Sequence, residues 1–430
     1  MPRERKIGLF GAISIGVGGM VGGGIFAVLG EAVSLAHGAT AVAFLVAGFV
    51  ALLTSYSYAK LSVSYQSEGG TVAFVDAAFG HNLLSGSVNL MLWLSYLVTI
   101  SLYAVAFSSY GATFFAHNSS LLNHTLISFA IVLPAIINLI SASFVSKSET
   151  FIVLLKIVLL VVIIVSGASY VDTERFSSEH WGSSLSIVVA GMIIFVAYEG
   201  FELIANSAEE IQEPKKNLPR AFYSSVIFVI ILYVLIALIS VGTVPEDTLL
   251  KAKDYALAIA AKPALGQVGF TIVAVAALLA TFSAINATIY GNARLGFIIA
   301  SEGELPKVLK REKRDIPFMG VVFTLGLSLL IANSINLDQI AIIGSASFLL
   351  IFFIVNLSAY KLSDAIGASK ILTAISAFFT LLALGTLMMH TYSSNPKAIY
   401  IFLSFIAISV IFELLYGRLV RGQLFKRSYK

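Results

Sequence analysis

Twelve apolar stretches, each near the length of a bilayer crossing, follow one another with short polar breaks through a chain of 430 residues. A helix needs about 20 apolar residues to cross a hydrocarbon core roughly 30 Å thick. The stretches lie at 9–35, 39–60, 83–115, 125–142, 150–169, 185–208, 220–243, 266–300, 318–335, 338–360, 370–390 and 397–417. They far exceed the roughly ten residues of a barrel strand and lack its polar-apolar alternation. Only 12% of the residues are charged, about half the share of a soluble domain, which leaves too little polar surface for a chain of this size in water. The expected fold class is an all-α membrane protein with twelve transmembrane helices in a single polytopic domain. The longer stretches are expected to tilt or to project beyond the bilayer.

Lysines and arginines orient the chain. With the amino terminus in the cytoplasm, 21 of the 27 fall on that side, among them Arg3, Arg5, Lys6, Lys147, Lys215, Lys216 and the clusters at 307–314 and 418–430. Five (Arg175, Lys251, Lys253, Lys262 and Lys397) fall on the other side, and Lys156 lies inside the fifth stretch. This excess predicts cytoplasmic termini and, independently, an even number of crossings in a multi-pass cell-membrane protein. The net charge of +4 is therefore loop asymmetry, and no nucleic acid partner is expected. The basic opening at 1–6 resembles a signal peptide, but the apolar run after it is long and lacks a convincing cleavage site, so it is retained as the first helix. There is no cysteine, and the six histidines stand scattered at segment ends. No disulfide scaffold, metal centre or cofactor is expected.

The first stretch contains GVGGMVGGGIF at 16–26, with six glycines in eleven residues. Glycine costs a helix up to about 1 kcal/mol relative to alanine, so the cluster marks either an unwound turn or close packing. Gly18 and Gly22, and Gly19 and Gly23, also satisfy the small-residue motif of helix association. The sixth stretch has its own interruption, AYEGFE at 197–202, with two carboxylates and a glycine at the same depth. Interrupted helices opening two successive five-helix halves point to an inverted-repeat secondary transporter with a midplane site. Free amides at such breaks can bind an anion and free carbonyls a cation, so one pair of broken helices can hold a zwitterion.

Four ordered motifs carry a resemblance. The run GGMVGGGIF at 18–26 resembles the first-helix signature of the amino acid-polyamine-organocation transporter superfamily. SEGGTVAF at 67–74 resembles its segment between the second and third helices, and FVAYEGFE at 195–202, followed by AEEIQEPKKNLPRA at 208–221, resembles its sixth helix and extension. ASEGELP at 300–306 resembles the segment after its eighth helix. The resemblance spans about residues 8 to 420, and within the superfamily the chain is most similar to archaeal proton-coupled, broad-specificity amino acid transporters, which also place a lysine where Lys156 stands. It implies a LeuT-like fold: a five-plus-five inverted repeat (halves at 9–169 and 185–360) with broken first and sixth helices, and two further helices at 370–417. It further implies amino acid uptake coupled to protons and independent of sodium, with amino acid, proton and lipid bilayer as partners and no enzymatic activity.

The family's binding mode transfers residue by residue. The substrate carboxylate would rest on the amides of Gly22, Gly23 and Gly24, and the ammonium on the carbonyls of Met20, Val196 and Glu199. Gly23 departs from the small hydroxylated residue common there, and Glu199 from an uncharged position. A carboxylate at 199 can favour cationic substrates or carry a proton, or it can be a structural partner to neighbouring helices. Glu202 matches the family's pattern and has two readings, a structural bond between the broken helices and a proton or gating group. Lys156 lies eight residues beyond Ser148, about 12 Å into the membrane at 1.5 Å per residue, where an ionised lysine costs at least roughly 2.5–3.5 kcal/mol. Snorkelling to the interface recovers only part of that depth. By the resemblance, Lys156 stands in place of the second sodium ion of sodium-coupled relatives, bridging the Gly18 carbonyl to the eighth helix through Ser283 or Thr281. Desolvation disfavours its charged form, so it can release a proton.

Tyr96, Ser101 and Tyr103 in the third stretch, Asn286 in the eighth, and Ser345 and Ser347 in the tenth can line a side-chain pocket or bond helix to helix. Two glycosylation sequons, at Asn118 and Asn123, are expected in an outward loop. Within the transporter class, the alternative is an amino acid or polyamine exchanger, which needs substrate on both sides. A channel or sensor would show a repeated filter or an appended signalling domain, and an intramembrane hydrolase a motif such as His-Glu-x-x-His. The sequence shows neither.

Overall fold

The computed structural model describes residues 5–117, 119–140, 142–313 and 316–422, without the side chains of 142–151. Arg3, Arg314, Lys426, Arg427 and Lys430 of the charge count lie outside the described residues, as do Asn118 of the first sequon and the side chains of Lys147 and Ser148. The described chain is helical, with isolated bridges and no strand. Among the described residues, ten helices are long and apolar enough to cross a membrane, and the pair Leu9–Met20 and Gly24–Ala36, bent by 48°, makes an eleventh if it is one span. The ninth expected span is Phe318–Ser334, an apolar helix of 17 residues. At 1.5 Å per residue it rises about 26 Å, short of a roughly 30 Å core. The eighth helix, Lys262–Ser301, changes course at Gly266, where φ is 61°; that is where the apolar stretch was expected to begin. The fourth, Ser120–Ile140, starts earlier than expected. The Ser119 hydroxyl accepts from the Leu122 amide at 3.2 Å, so the second sequon enters the helix rather than the expected loop.

The first and sixth spans run antiparallel and are tied at both ends by backbone pairs. At one face the Ile7 amide donates to the Glu210 carbonyl at 3.0 Å, and the Gln212 amide to the Ile7 carbonyl at 2.8 Å. At the other, the Gly38 amide donates to the His180 carbonyl at 2.8 Å and the Gly182 amide to the Ala36 carbonyl at 3.3 Å. The start of the first span thus lies beside the end of the sixth, on the face called here the N-terminal face. Midway the two backbones touch. A Cβ on Gly19 would stand 2.5 Å from the Gly200 carbonyl oxygen, and one on Gly200 would overlap the backbone of Gly19.

The breaks differ in kind. In the first span, Gly22 and Gly23 are non-helical and a new helix starts at Gly24, as the glycine cluster suggests. The sixth does not unwind over 197–202. The helix Ser184–Ile193 tightens into the 3₁₀ stretch Ile194–Glu202 and resumes as Leu203–Asn206. Ser345, from the tenth helix Leu337–Lys361, enters this transition. Its hydroxyl donates to the Ile193 carbonyl at 2.6 Å and accepts from the Val196 amide at 2.9 Å. A tightened turn leaves helical carbonyls in need of partners, and this serine supplies one.

If the Gly19–Gly200 crossing sets the spacing of the two spans, Gly200→Ala should destabilise the purified protein by about 1–3 kcal/mol, the usual range for overpacking. Gly326→Ala, at a helical position with nothing within 4 Å of an added Cβ, should be neutral or raise the melting temperature. Thermal melting in detergent distinguishes the two.

Candidate functional site

Between the breaks and the N-terminal face lies a cavity of about 50 Å³, lined among others by Gly18, Gly19, Thr99, Tyr103, Lys156, Glu199, Gly200, Glu202, Ser283, Thr288 and Asn292. It has room for a few water molecules. Five spans contribute: the first, the third (Leu83–Ala112), the fifth (Ala142–Gly167), the sixth and the eighth.

Gly22, Gly23 and Gly24 turn the corner of the first span, and Gly24 opens the following helix. Amides at such a start have no carbonyl one turn back and carry the positive end of the helix dipole. Tyr103 explains the departure at Gly23, because a Cβ there would run into its ring. A Cβ on Gly24 would lie 2.8 Å from the Ala197 Cα, so even a small side chain would wedge the two breaks apart rather than merely fill a binding space. Of the expected carbonyl partners, Met20 already accepts the Tyr233 hydroxyl at 2.6 Å, and the same hydroxyl lies 3.3 Å from the Ala197 carbonyl. Tyr233, in the seventh helix Pro214–Thr243, thereby joins the breaks. Val196 is engaged through its amide by Ser345.

The two carboxylates of the sixth span are held differently. Glu202 accepts from the Tyr96 hydroxyl and, at 3.1 Å, from Thr71, whose own hydroxyl lies 2.7 Å from that of Tyr58. It is thus tied to the third span and to the short helix Thr71–Phe79 that precedes it, rather than to the first span. Glu199 is 4% exposed; Thr99 donates to its Oε1 at 2.7 Å, and its Oε2 accepts nothing. Lys156 is 3% exposed and shares the cavity with Gly18 and Ser283. One turn before it, Val153 packs against Gly18, 2.9 Å from where a Cβ would stand. Thr281 bonds to Ala277 and Leu278 of its own helix, at 2.7 and 3.1 Å, and does not line the cavity.

The other candidates separate in the same way. Tyr103 lines the cavity, whereas Ser101 donates to the Leu97 and Ser328 carbonyls and Asn286 receives Asn138. Ser347 is buried outside the cavity. The parts played by Thr99, Tyr233 and Asn292 are not marked by any sequence motif, and Thr71 is marked only as part of the 67–74 segment. One signal was available for the first, since Tyr96, Thr99 and Tyr103 recur at spacings of three and four and so share a helix face.

Away from the N-terminal face, the segment between the seventh and eighth spans closes over the site. The Lys253 carbonyl sits where a Cβ on Gly30 would be, and its ammonium meets Glu31 at 2.8 Å and Asp338 at 4.0 Å. Burial alone would lower the Lys253 ammonium, but the hydrogen bond and charge of Glu31, with Asp338 and Asp254, carry it above its ordinary value. Burial pushes the Asp254 carboxyl up, against the opposing charge of Lys253. Elsewhere the fold brings Asp76, His81 and Glu304 within 4.8 Å of one another, with Asn89 donating to Glu304 at 2.9 Å and Asp76 at 3.4 Å. Sequence spacing alone does not show this group.

A family model described as amino acid permease matches residues 7–412. The chain is similar to an uncharacterized protein of Methanocaldococcus jannaschii, 34% identical over 430 residues, with 99% of each chain covered. It is also similar to the inner membrane transport protein YbaT of Escherichia coli, 32% identical, covering 96% of this chain and 97% of that one. The branched-chain amino acid permease BcaP of Bacillus subtilis is 25% identical, covering 84% and 81%.

Replacing Gly23 with alanine should disturb the corner through the Tyr103 ring and lower stability by about 1–3 kcal/mol. Adding Tyr103→Leu should recover part of that loss, a coupling read from a double-mutant cycle of melting temperatures.

Proposed function

The chain belongs to the amino acid permease family, and we propose that it takes amino acids up across the cell membrane by alternating access, coupled to protons and independent of sodium. That it is a multi-pass membrane protein of amino acid transport rests on the family and on its transporter relatives. The finer reading is carried by one observation: a buried lysine shares a cavity with Gly18 and Gly19, at the end of the helix before the first break, and with Ser283 of the eighth helix. In this reading the substrate carboxylate rests on the amides of Gly22, Gly23 and Gly24. The ammonium is held by the carbonyls of Met20, Val196 and Glu199, with Tyr233 yielding or sharing the first, since a carbonyl oxygen has two lone pairs. The charge asymmetry of the loops makes the N-terminal face cytoplasmic. The segment around Lys253 then closes the outer side, which supports a cycle that opens one face at a time.

A proton drives transport only if its binding shifts the balance between conformations. Charged, Lys156 supplies an ammonium that can bind carbonyl and hydroxyl oxygens of the first and eighth helices; neutral, it binds them more weakly and lets them separate. A fixed cation also disfavours sodium at the same place.

The test is uptake of labelled alanine and lysine into proteoliposomes, with proton and sodium gradients imposed separately. Wild-type protein should accumulate amino acid on an inward proton gradient without sodium and without internal substrate. Lys156→Ala should reach the membrane yet fail to accumulate it. Sodium dependence, or gradient-driven accumulation by the alanine variant, would overturn the coupling role, and uptake only into preloaded vesicles would show exchange.

A further inference from the structure

The cavity's own hydrogen bonding and charge narrow the class of amino acid that fits, on the premise of the transport reading above. Its lining includes two carboxylates, Glu199 and Glu202, and one lysine, Lys156. A zwitterionic backbone adds no net charge, so the lining is one positive charge short of balance when all three are ionised. Glu202 takes hydrogen bonds at both oxygens, from Tyr96 and Thr71. Glu199, equally buried, takes one from Thr99 at Oε1 and none at Oε2.

A second acceptor stands in the same lining. Asn292 is 0% exposed; its Nδ2 donates to Thr324 at 3.1 Å and its Oδ1 accepts nothing. Thr288, also in the lining, spends its hydroxyl proton on the Ala284 carbonyl at 2.8 Å, so toward the cavity it too can only accept. Buried polar atoms nearly always have partners, and an ionised carboxylate can only accept. What complements this set is a group with several N–H donors, no acceptor and a positive charge. Ammonium and guanidinium groups fit that description.

We propose that the site prefers α-amino acids with a cationic side chain, and that the Glu199 carboxylate is the specificity-determining group that receives the distal ammonium or guanidinium. The α-carboxylate stays at the glycine corner, and the backbone carbonyls of the breaks take the α-ammonium. Glu199 then acts twice, through its carbonyl on the α-ammonium and through its side chain on the distal cation. Thr99 is its positioning residue.

The experiment is uptake of labelled lysine, Nε-acetyllysine, norleucine and alanine into proteoliposomes holding the full chain. Lysine should exceed norleucine and Nε-acetyllysine at least tenfold in kcat/KM, and Glu199→Gln should cut that ratio at least fivefold. The comparison of lysine with its acetylated form needs no variant, so it stands if Glu199→Gln does not fold. Uptake of norleucine or alanine as good as that of lysine would overturn the preference and leave the transport reading intact. A variant ratio equal to wild type would remove Glu199 from the role. Uptake of none of the four would overturn the transport reading, and this inference with it.

Discussion

The approach of Gly19 to Gly200 is the contact on which the rest of the architecture depends. Two helices whose hydrogen bonding is interrupted at the same depth would each leave backbone groups in hydrocarbon, which is costly enough to exclude lipid-exposed breaks. Their mutual contact, backbone on backbone, places both interruptions where neighbouring helices can serve them. Ser345 and Tyr233 do so from the tenth and seventh helices, each with one hydroxyl reaching two backbone groups. A side chain at either glycine would push the breaks apart and take those hydroxyls out of range. Small residues are how membrane helices achieve such approach, because lipid supplies no hydrophobic drive between them.

Around this crossing the polar groups divide into those that are spent and those that are not. Glu202 is tied by Tyr96 and Thr71 to elements that flank the breaks, with a hydrogen bond at each carboxylate oxygen. Glu199, three residues earlier in a 3₁₀ stretch with about three residues per turn, lies on a similar face but has one oxygen uncommitted. The third span reads both carboxylates with a single stripe, Tyr96 on one and Thr99 on the other, while Tyr103 covers the glycine corner one turn further on.

The spans and the glycine corner were legible because each is written locally, in hydropathy or in residues that tolerate special backbone. The pairings between helices were not. Thr99 meets Glu199 across 100 residues, and Met20 meets Tyr233 across 213, and nothing in hydropathy distinguishes a hydroxyl aimed at a partner from one bonded to its own turn. Thr281 and Ser283 illustrate the difficulty. Two positions apart on a helix they point about 200° away from each other, so only one can face Lys156, and the sequence does not say which. The kind of break in the sixth span was hidden for the same reason, since it is Ser345, a distant residue, that supports the tightened turn.

Lys156 and Glu199 line one cavity, and in the proposed cycle this would make proton and substrate charge interdependent. Two unit charges roughly 10 Å apart at an effective dielectric constant of about 20 interact by about 1.7 kcal/mol, more than a tenfold change in an equilibrium constant. At such a separation a cation received at Glu199 would weaken proton binding on Lys156, and by reciprocity the proton would weaken the cation by the same factor. A neutral amino acid meets no such opposition. If Lys156 carries the coupling proton and Glu199 receives the substrate cation, one pair of charges sets both which side chains fit and how strongly each is linked to the proton, and a change to either residue should alter selectivity and coupling together.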